Sequence, residues 1–181
     1  SFINYDDKVL SKYANLLETK YVFGQQEGMH MTYKITLDED LHPTLAIKTY
    51  DEKEFDVKIN GIVGNIQAYN AAEAIAIAID LGEELDIIKK ALNNYVPESG
   101  NGYGRMLVEW IGNNTIINDC YNANPNSVSS ALDTLNLYKL NKIAILGDML
   151  ELGDNAIKEH IEILNKASDI ADEVLLFGNI F

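Results

Sequence analysis

Short apolar runs in the first 60 residues predict several strands and one helix. Apolar positions at helical spacing indicate one helix over residues 7–17, which Asp6 or Asp7 is placed to cap. After residue 30 apolar residues alternate with charged ones, so we expect an antiparallel meander with one solvent-facing side. The predicted strands cover residues 1–4, 21–23, 31–37, 44–50 and 54–59.

After residue 60 the pattern changes to helical periodicity. We predict one strongly apolar helix over residues 67–81, ended by Gly82, and a second helix over residues 85–94. Gly and Pro then become frequent, as is typical of a connector between domains. The sequence therefore predicts two domains, residues 1–96 and 105–181, joined by a linker over residues 97–104.

Strands and helices alternate in the second predicted domain. The turn at Gly112 predicts a hairpin, and Asn124-Pro125 supplies an N-cap and an N1 proline for the helix that follows. This alternation implies parallel βαβ units with right-handed crossovers. The last strand lacks a covering helix, so we expect the domain to extend beyond Phe181. The predicted strands are 106–111, 115–119, 142–146 and 174–177, and the predicted helices begin at 125 and cover 156–171.

Composition excludes several classes of protein. Hydrophobic residues make up 47% of the 181 residues, which is sufficient for a core, and no apolar run is long enough for membrane insertion. The net charge of -14 argues against nucleic acid as a partner, because nucleic acid is bound mainly through clustered Lys and Arg. The N-terminal residues lack the features of a signal peptide, so we expect a cytoplasmic protein.

Cys120 and Arg105 are each the only residue of their type, and both could carry chemistry. Cys120 has no partner for a disulfide or a shared metal site, and we expect it to be a small buried residue. Arg105 is the only arginine among 14 basic residues and lies in a Gly-rich segment. A lone guanidinium there suggests bidentate recognition of an anion, which Lys supplies poorly. The alternative is that one Arg remains there by chance.

A polar loop after the strand over 115–119 carries many candidate ligand-binding groups. It runs from Asp119 to Ser127 as Asp-Cys-Tyr-Asn-Ala-Asn-Pro-Asn-Ser and leads into the start of a predicted helix. Proteins of the α/β class bind ligands at the carboxyl ends of such strands, and free N–H groups at a helix start bind carboxylates or phosphates. Asn, Asp and Pro are also ordinary turn residues, so the alternative is a capped loop without a ligand.

This loop resembles the Asp-Ser-Tyr-Asn-Ala-Asn-Pro-x-Ser signature of the MurF-type Mur ligases, with Cys120 in place of Ser. Residues 146–153, Leu-Gly-Asp-Met-Leu-Glu-Leu-Gly, contain the family's Gly-Asp-Met-Leu-Glu-Leu-Gly run, and His160 falls where a family His follows it. Gly104-Arg105-Met106 and residues 2–7 are similar to two further family motifs in order and spacing. The resemblance covers essentially the whole chain.

The resemblance implies roles for several residues. Arg105 would reach the γ-phosphate of ATP, and Asp119 would accept hydrogen bonds from the ribose hydroxyls. Gln67 and Asn70 would lie at the adenine, although Ile66 here replaces the His of the family's Gly-x-His-Asn-x-x-Asn pattern. The residues that would face the amine substrate, or support the loop that does, are Asn122, Asn124, Asp148 and His160. A purely structural role is the alternative for the last two.

The implied fold is the end of a Mur ligase central ATP-binding domain followed by the first part of a Rossmann-like C-terminal α/β domain. The implied reaction adds D-alanyl-D-alanine to a UDP-N-acetylmuramoyl tripeptide through an acyl phosphate, with ATP and Mg²⁺ as cofactors. The chain has no Gly-x-x-Gly-Lys-Thr/Ser phosphate loop, and the family's Mg²⁺ ligands would lie upstream of Ser1. We therefore expect no ligase activity from this chain alone. The alternatives are another Mur or folylpolyglutamate-type ligase and a non-catalytic Mur-like binding module.

Overall fold

The computed structural model describes residues 1–18, 20–97 and 104–181. The chain forms two compact units, Ser1–Pro97 and Glu98–Phe181, and each has its own hydrophobic core. Most of the predicted linker over 97–104 lies outside the described residues. Among the described residues, no helix is both long enough and apolar enough to cross a lipid bilayer.

A five-stranded sheet in the order β1-β2-β3-β4-β5 forms one layer of the first unit. Its last three strands are antiparallel and alternate buried with exposed residues, so the predicted meander with one solvent-facing side is confirmed. The first three strands pair in parallel, and the sheet is therefore mixed. The strands are β1 Phe2–Asn4, β2 Tyr21–Gly24, β3 Met31–Leu37, β4 Pro43–Thr49 and β5 Glu54–Lys58.

The helix predicted over 7–17 is much shorter than expected. Helix α1 covers only Leu10–Tyr13 and is followed by a single 3₁₀ turn. The Asp7 carboxylate accepts hydrogen bonds from the N–H groups of Val9 and Leu10, at 2.7 and 2.8 Å. These bonds hold a turn before the helix, as Asp side chains commonly do, so helical winding begins later than the apolar spacing indicated.

Helix α2, Gly64–Asp80, packs against the sheet, and α3, Leu85–Asn93, follows it. Every fourth residue along one face of α2 is a completely buried alanine: Ala68, Ala72 and Ala76. Their small side chains let the helix lie close to the strands. The core of this unit includes Phe23, Met31, Tyr33, Leu45, Ile47, Val57, Ile59 and Ile75.

The second unit contains a hairpin and a parallel strand pair. Strands β8 and β9 pair in parallel and are joined by helix α5, so this βαβ unit is confirmed. The other predicted βαβ unit is wrong, because β7 pairs with β6 and not with β8. Three of the five residues of β7 are polar, whereas a central parallel strand is normally apolar on both faces. The elements are β6 Leu107–Ile111, β7 Asn114–Asn118, α4 Pro125–Leu137, β8 Ile143–Gly147, α5 Ala156–Ile170 and β9 Glu173–Phe177.

Polar as well as apolar contacts hold α4 and α5 together. The Lys166 ammonium of α5 donates hydrogen bonds to the Oγ and the backbone oxygen of Ser129 on α4, at 2.6 and 2.8 Å. The same ammonium forms an ion pair with Asp133, at 2.6 Å. The apolar core between these helices and the strand pair consists of Leu132, Ala144, Leu146, Met149, Ile163 and Ala167.

Candidate functional site

The backbone beside Arg105 is hydrogen-bonded to the segment that follows β7. The N–H of Gly104 donates to Oδ1 of Asn118, at 3.2 Å, and the N–H of Tyr121 donates to the backbone oxygen of Gly104, at 3.1 Å. A side chain at Gly104 would collide with the backbone oxygen of Asn118, so only glycine fits this approach. These bonds fix the position from which the Arg105 side chain extends.

Asp119 holds the backbone on the C-terminal side of Arg105. Its Oδ1 accepts a hydrogen bond from the N–H of Met106, at 2.9 Å, and Met106 has a positive φ of 54°. Burial raises the pKa of the Asp119 carboxyl above its ordinary value, while the Met106 hydrogen bond and the positive charge of Arg105 act to lower it. The Oδ2 atom accepts no hydrogen bond from the residues that the structure describes. The half-buried carboxylate therefore keeps an acceptor that a ligand hydroxyl could use.

The guanidinium of Arg105 stacks on the ring of Tyr121. Its central carbon lies 4.0 Å from the ring centroid, well within the range of a cation–π interaction. Both residues are exposed to solvent. The structure thus brings together Arg105 and Asp119, two residues singled out from the sequence, and adds Tyr121 as a contact of the guanidinium.

Cys120 is exposed, so its predicted burial is wrong. The prediction used the average behaviour of free cysteine, but this residue lies on the polar loop beyond β7. Its N–H donates to Oδ1 of Asn118, at 3.2 Å, which is the atom that also accepts from Gly104. Asn118 was not predicted as a site residue, yet it organises the backbone of this loop.

The two asparagines of the loop have different environments. Asn122 is exposed, and its Oδ1 accepts from the N–H of Ala123, at 2.9 Å. Asn124 is the N-cap of α4: its Oδ1 accepts from the N–H of Ser127, at 3.0 Å, and its own N–H donates to the Ser127 hydroxyl, at 3.1 Å. The predicted N-cap is confirmed as part of a reciprocal capping box. Any ligand role of Asn124 would be additional to this capping role.

Asp148, directly after β8, binds the segment that follows β9. Its carboxylate accepts hydrogen bonds from the N–H groups of Asn179, Ile180 and Phe181, at 2.7, 3.2 and 3.1 Å. Desolvation by itself would raise the pKa of Asp148, but these backbone hydrogen bonds outweigh it and lower the pKa. Gly178 has a φ of +147°, and a side chain there would collide with this carboxylate. The carboxylate of Asp148 therefore links the end of β8 to the segment that follows β9.

His160 is 98% buried and fixes the loop after β8. Its Nε2 accepts from the N–H of Met149, at 2.9 Å, and its Nδ1 lies 2.7 Å from the backbone oxygen of Ala156. These partners assign the proton to Nδ1 and a neutral ring, because Nε2 must accept. The 3.8 Å separation of Nε2 from Asp148 is therefore not an ion pair. The ring of Phe181 lies edge-on, with 4.5 Å between centroids.

Gln67 and Asn70 lie together on the first turns of α2 and line a cavity of about 210 Å³. The Nδ2 of Asn70 lies 3.4 Å from Oε1 of Gln67, a long hydrogen bond between the two amides. The rest of the lining is mostly apolar, and Tyr95 adds an aromatic ring. A flat ligand with a polar edge fits such a cavity. A second cavity in this unit, of about 330 Å³, is lined by none of the predicted site residues.

Tyr121, Asn118 and Tyr95 were not predicted as site residues from the sequence. Tyr121 lies within the signature loop, and its place two residues after Asp119 was the one available signal. Its contact with the guanidinium depends on the folding of residues 104–106 against 118–121, which spacing along the chain does not reveal. Tyr95 lies just beyond the end of α3 and lines the cavity with Gln67 and Asn70.

Comparison with known proteins gives a consistent result. Residues 104–180 match the family model described as "Mur ligase, glutamate ligase domain". The chain is 31% identical over 170 residues to the UDP-N-acetylmuramoyl-tripeptide--D-alanyl-D-alanine ligase of Mycobacterium tuberculosis (strain ATCC 25618 / H37Rv). That alignment covers 89% of this chain and 32% of the relative, so the chain spans about a third of the relative's length.

Solved structures show the same fold. MurF from Acinetobacter baumannii matches with a TM-score of 0.82 and 24% identity, over 99% of this chain and 38% of the other. The MurF ligase from Thermotoga maritima in complex with ADP matches with a TM-score of 0.77 and 21% identity, over 98% of this chain and 49% of the other. At these identities the likeness shows the fold alone, and it confirms the predicted fold class.

Proposed function

Because the chain belongs to the Mur ligase family, we propose that it forms part of an ATP-dependent ligase that adds D-alanyl-D-alanine to a UDP-N-acetylmuramoyl tripeptide. The name of the Mycobacterium tuberculosis relative supplies the two substrates. The chain spans about a third of that relative, so the activity is proposed for a longer protein that contains this chain. The proposal includes a cytoplasmic location, in keeping with an exposed free thiol at Cys120.

The arrangement of Arg105 with Asp119 is the observation that carries this proposal. The backbone on both sides of Arg105 is hydrogen-bonded to residues 118–121, and the exposed guanidinium extends from it beside a half-buried carboxylate. A guanidinium offers N–H donors in a planar fork that matches a phosphate. We assign Arg105 to the γ-phosphate of ATP and the Oδ2 atom of Asp119 to the ribose hydroxyls.

The cavity beside α2 is our candidate for the adenine. Its apolar walls would contact the faces of the ring, and the amides of Gln67 and Asn70 would pair with the polar edge of the ring. The long hydrogen bond between these two amides costs little to replace, because a neutral hydrogen bond contributes only about 0.5–1.5 kcal/mol. The ADP bound to the Thermotoga maritima ligase supports a nucleotide as the ligand of this fold.

In the proposed reaction the tripeptide carboxylate attacks the γ-phosphorus of ATP and forms an acyl phosphate, releasing ADP. The amine of D-alanyl-D-alanine then attacks the acyl carbon, and inorganic phosphate leaves as the amide forms. Arg105 would neutralise charge on the transferred phosphoryl oxygens, a contribution that is largest in a transition state. Mg²⁺, which we propose as the metal cofactor, would add neutralising charge. Among the described residues, no group of three or more His, Cys, Asp or Glu side chains could hold a metal ion. We assign the metal ligands to none of the residues of this chain, as the resemblance to the Mur ligases implies.

The amine-substrate side is assigned to the loop after Asp119 and its supports. Asn122 is exposed and offers an amide to the dipeptide, and Asn124 would contribute while capping α4. Asp148 and His160 hold the segments that follow β8 and β9, so we assign them to supporting that side rather than to contacting the dipeptide.

The test is phosphate release by the longer ligase with ATP, Mg²⁺ and UDP-tripeptide. We expect release to depend on D-alanyl-D-alanine and not on single amino acids. Arg105→Ala should lower the rate about a hundredfold or more, the scale of losing a charge-stabilising donor. Lys139→Ala removes one exposed charge from the same unit and should leave the rate unchanged. Equal release with other amines would overturn the assigned substrate, and full activity of Arg105→Ala would overturn the assigned residue.

A further inference from the structure

Arg105 is attached to a well-defined backbone but has a long and flexible side chain. Ordering such a side chain costs up to about 2 kcal/mol in lost rotamer freedom. The hydrogen bonds from Gly104 and Met106 fix the main chain, but they do not choose among the rotamers of the guanidinium. Some other contact must select a rotamer if the guanidinium is to meet a phosphate without an ordering cost.

The ring of Tyr121 supplies such a contact. The Arg105 guanidinium carbon lies 4.0 Å from the ring centroid, and the N–H of Tyr121 donates to the oxygen of Gly104, the neighbour of Arg105. The backbone that carries the ring is therefore bonded to the backbone that carries the arginine. A cation–π contact at an exposed site stabilises the stacked arrangement by about 0.5–1 kcal/mol.

Stacking on the tyrosine ring also does not use the N–H donors of the guanidinium. The N–H donors of arginine lie in the plane of the group, whereas the tyrosine ring occupies one face of that plane. A carboxylate pairing edge-on would instead compete with an incoming phosphate for the same donors. A flat aromatic partner can therefore hold the group without using the atoms that would bind the phosphate.

We propose that Tyr121 is a positioning residue that orients the Arg105 guanidinium for the terminal phosphate of the nucleotide. This rests on the proposed function of Arg105. The ring is the active part, so phenylalanine replaces tyrosine at this position and an aliphatic residue does not. The effect falls on kcat more than on KM for ATP, because the contact improves alignment in the transition state rather than adding a contact to ATP.

The first experiment is NMR on this chain, in which Arg105 is the only arginine and gives a single Nε–H signal. Ring-current shielding should move this signal upfield in the wild type and in Tyr121→Phe, and the shift should disappear in Tyr121→Leu. This measurement is independent of enzymatic activity. The same signal in Tyr121→Leu and wild type would show that the stack does not form in solution, and it would overturn the proposal.

The second experiment is kinetic and uses the longer ligase. Tyr121→Leu should lower kcat about three- to fivefold with KM for ATP changed less than about twofold, and Tyr121→Phe should restore kcat. In the Arg105→Ala background, Tyr121→Leu should cause no further loss. An equal loss in Tyr121→Phe, or a further loss without Arg105, would overturn the positioning role alone. Full activity of Arg105→Ala would overturn the proposed function of Arg105 and this inference with it.

Discussion

Replacing His160 with leucine tests whether this residue supports the loop after β8 or serves another purpose. Leucine fills a similar volume but can neither accept the hydrogen bond from the N–H of Met149 nor donate to the oxygen of Ala156. Met149 is 1% exposed, so water cannot reach its N–H group without a rearrangement of the loop. The substitution therefore leaves a buried donor without an acceptor.

The expected loss of stability follows from these contacts. An unsatisfied buried donor costs about 1–3 kcal/mol, and loss of the edge-on contact with Phe181 adds about 0.5–1.5 kcal/mol. We expect a decrease of about 2–4 kcal/mol in the free energy of unfolding of the second unit. Native proteins are stable by only about 5–15 kcal/mol, so this is a large fraction.

Urea denaturation followed by tryptophan fluorescence is the appropriate assay. Trp110 is the only tryptophan and lies on β6 of the same unit, so the signal reports on that unit. With a denaturant slope of about 1–2 kcal/mol/M, the midpoint should fall by about 1 M or more. Lys158→Ala on the same helix is the control, because its ion pair with Glu162 is exposed and should change stability by less than about 0.5 kcal/mol.

A midpoint for His160→Leu within about 0.3 M of the wild type would refute this reasoning. It would mean that the hydrogen bond to Met149 contributes little in solution. His160 would then have to be reconsidered as a residue that reaches the amine substrate.

Two further predictions concern carboxylates. The folded pKa of Asp148 is lowered, so the stability that its carboxylate contributes is present above the unfolded pKa of about 3.9 and is lost as pH falls through the folded value. In thermal melts below about pH 5, the melting temperature of Asp148→Asn should therefore depend less on pH than that of the wild type. Because the folded pKa of Asp119 is raised, its stabilising contribution is present only below about pH 3.9 and is lost as pH rises through the folded value. Asp119→Asn keeps an acceptor for Met106, so urea titration at pH 7 should show equal or higher stability, and lower stability would contradict the pKa argument. In the longer ligase the same variant should raise KM for ATP, and an unchanged KM would contradict the proposed ribose contact.

Local signals in the sequence predicted a large part of the fold. The alternation along β4 and β5 follows from one buried face, and the Asn124-Pro125 pair predicted the start of α4 because capping depends on neighbouring residues. The same kind of reasoning failed for α1, where the short-range hydrogen bonds of Asp7 displaced the start of the helix. Apolar spacing does not report competition of this kind.

The unpredicted features depend on contacts between distant parts of the chain. The alternation of strands and helices suggested a place for β7 in the parallel sheet. Its pairing with β6 was predicted from the turn at Gly112, but the lack of pairing between β7 and β8 is a property of the folded unit. The exposure of Cys120 likewise depends on where its loop lies, not on the average behaviour of cysteine. The candidate residues Arg105 and Asp119 were identified from composition and resemblance, whereas their direct connection through Met106 required the structure.

The hydrogen bonds that join residues 104–106 to residues 118–121 have a consequence for nucleotide selection. They place the residues of the proposed ribose contact and the proposed phosphate contact on backbone segments that are bonded to each other. With the guanidinium stacked on Tyr121, the distance between the two contacts is set before any nucleotide arrives. A nucleotide whose phosphate chain is one unit shorter would reach Asp119 but leave Arg105 without its partner. These two segments would thus select nucleotides by the length of the phosphate chain, and they would bind ATP more tightly than ADP.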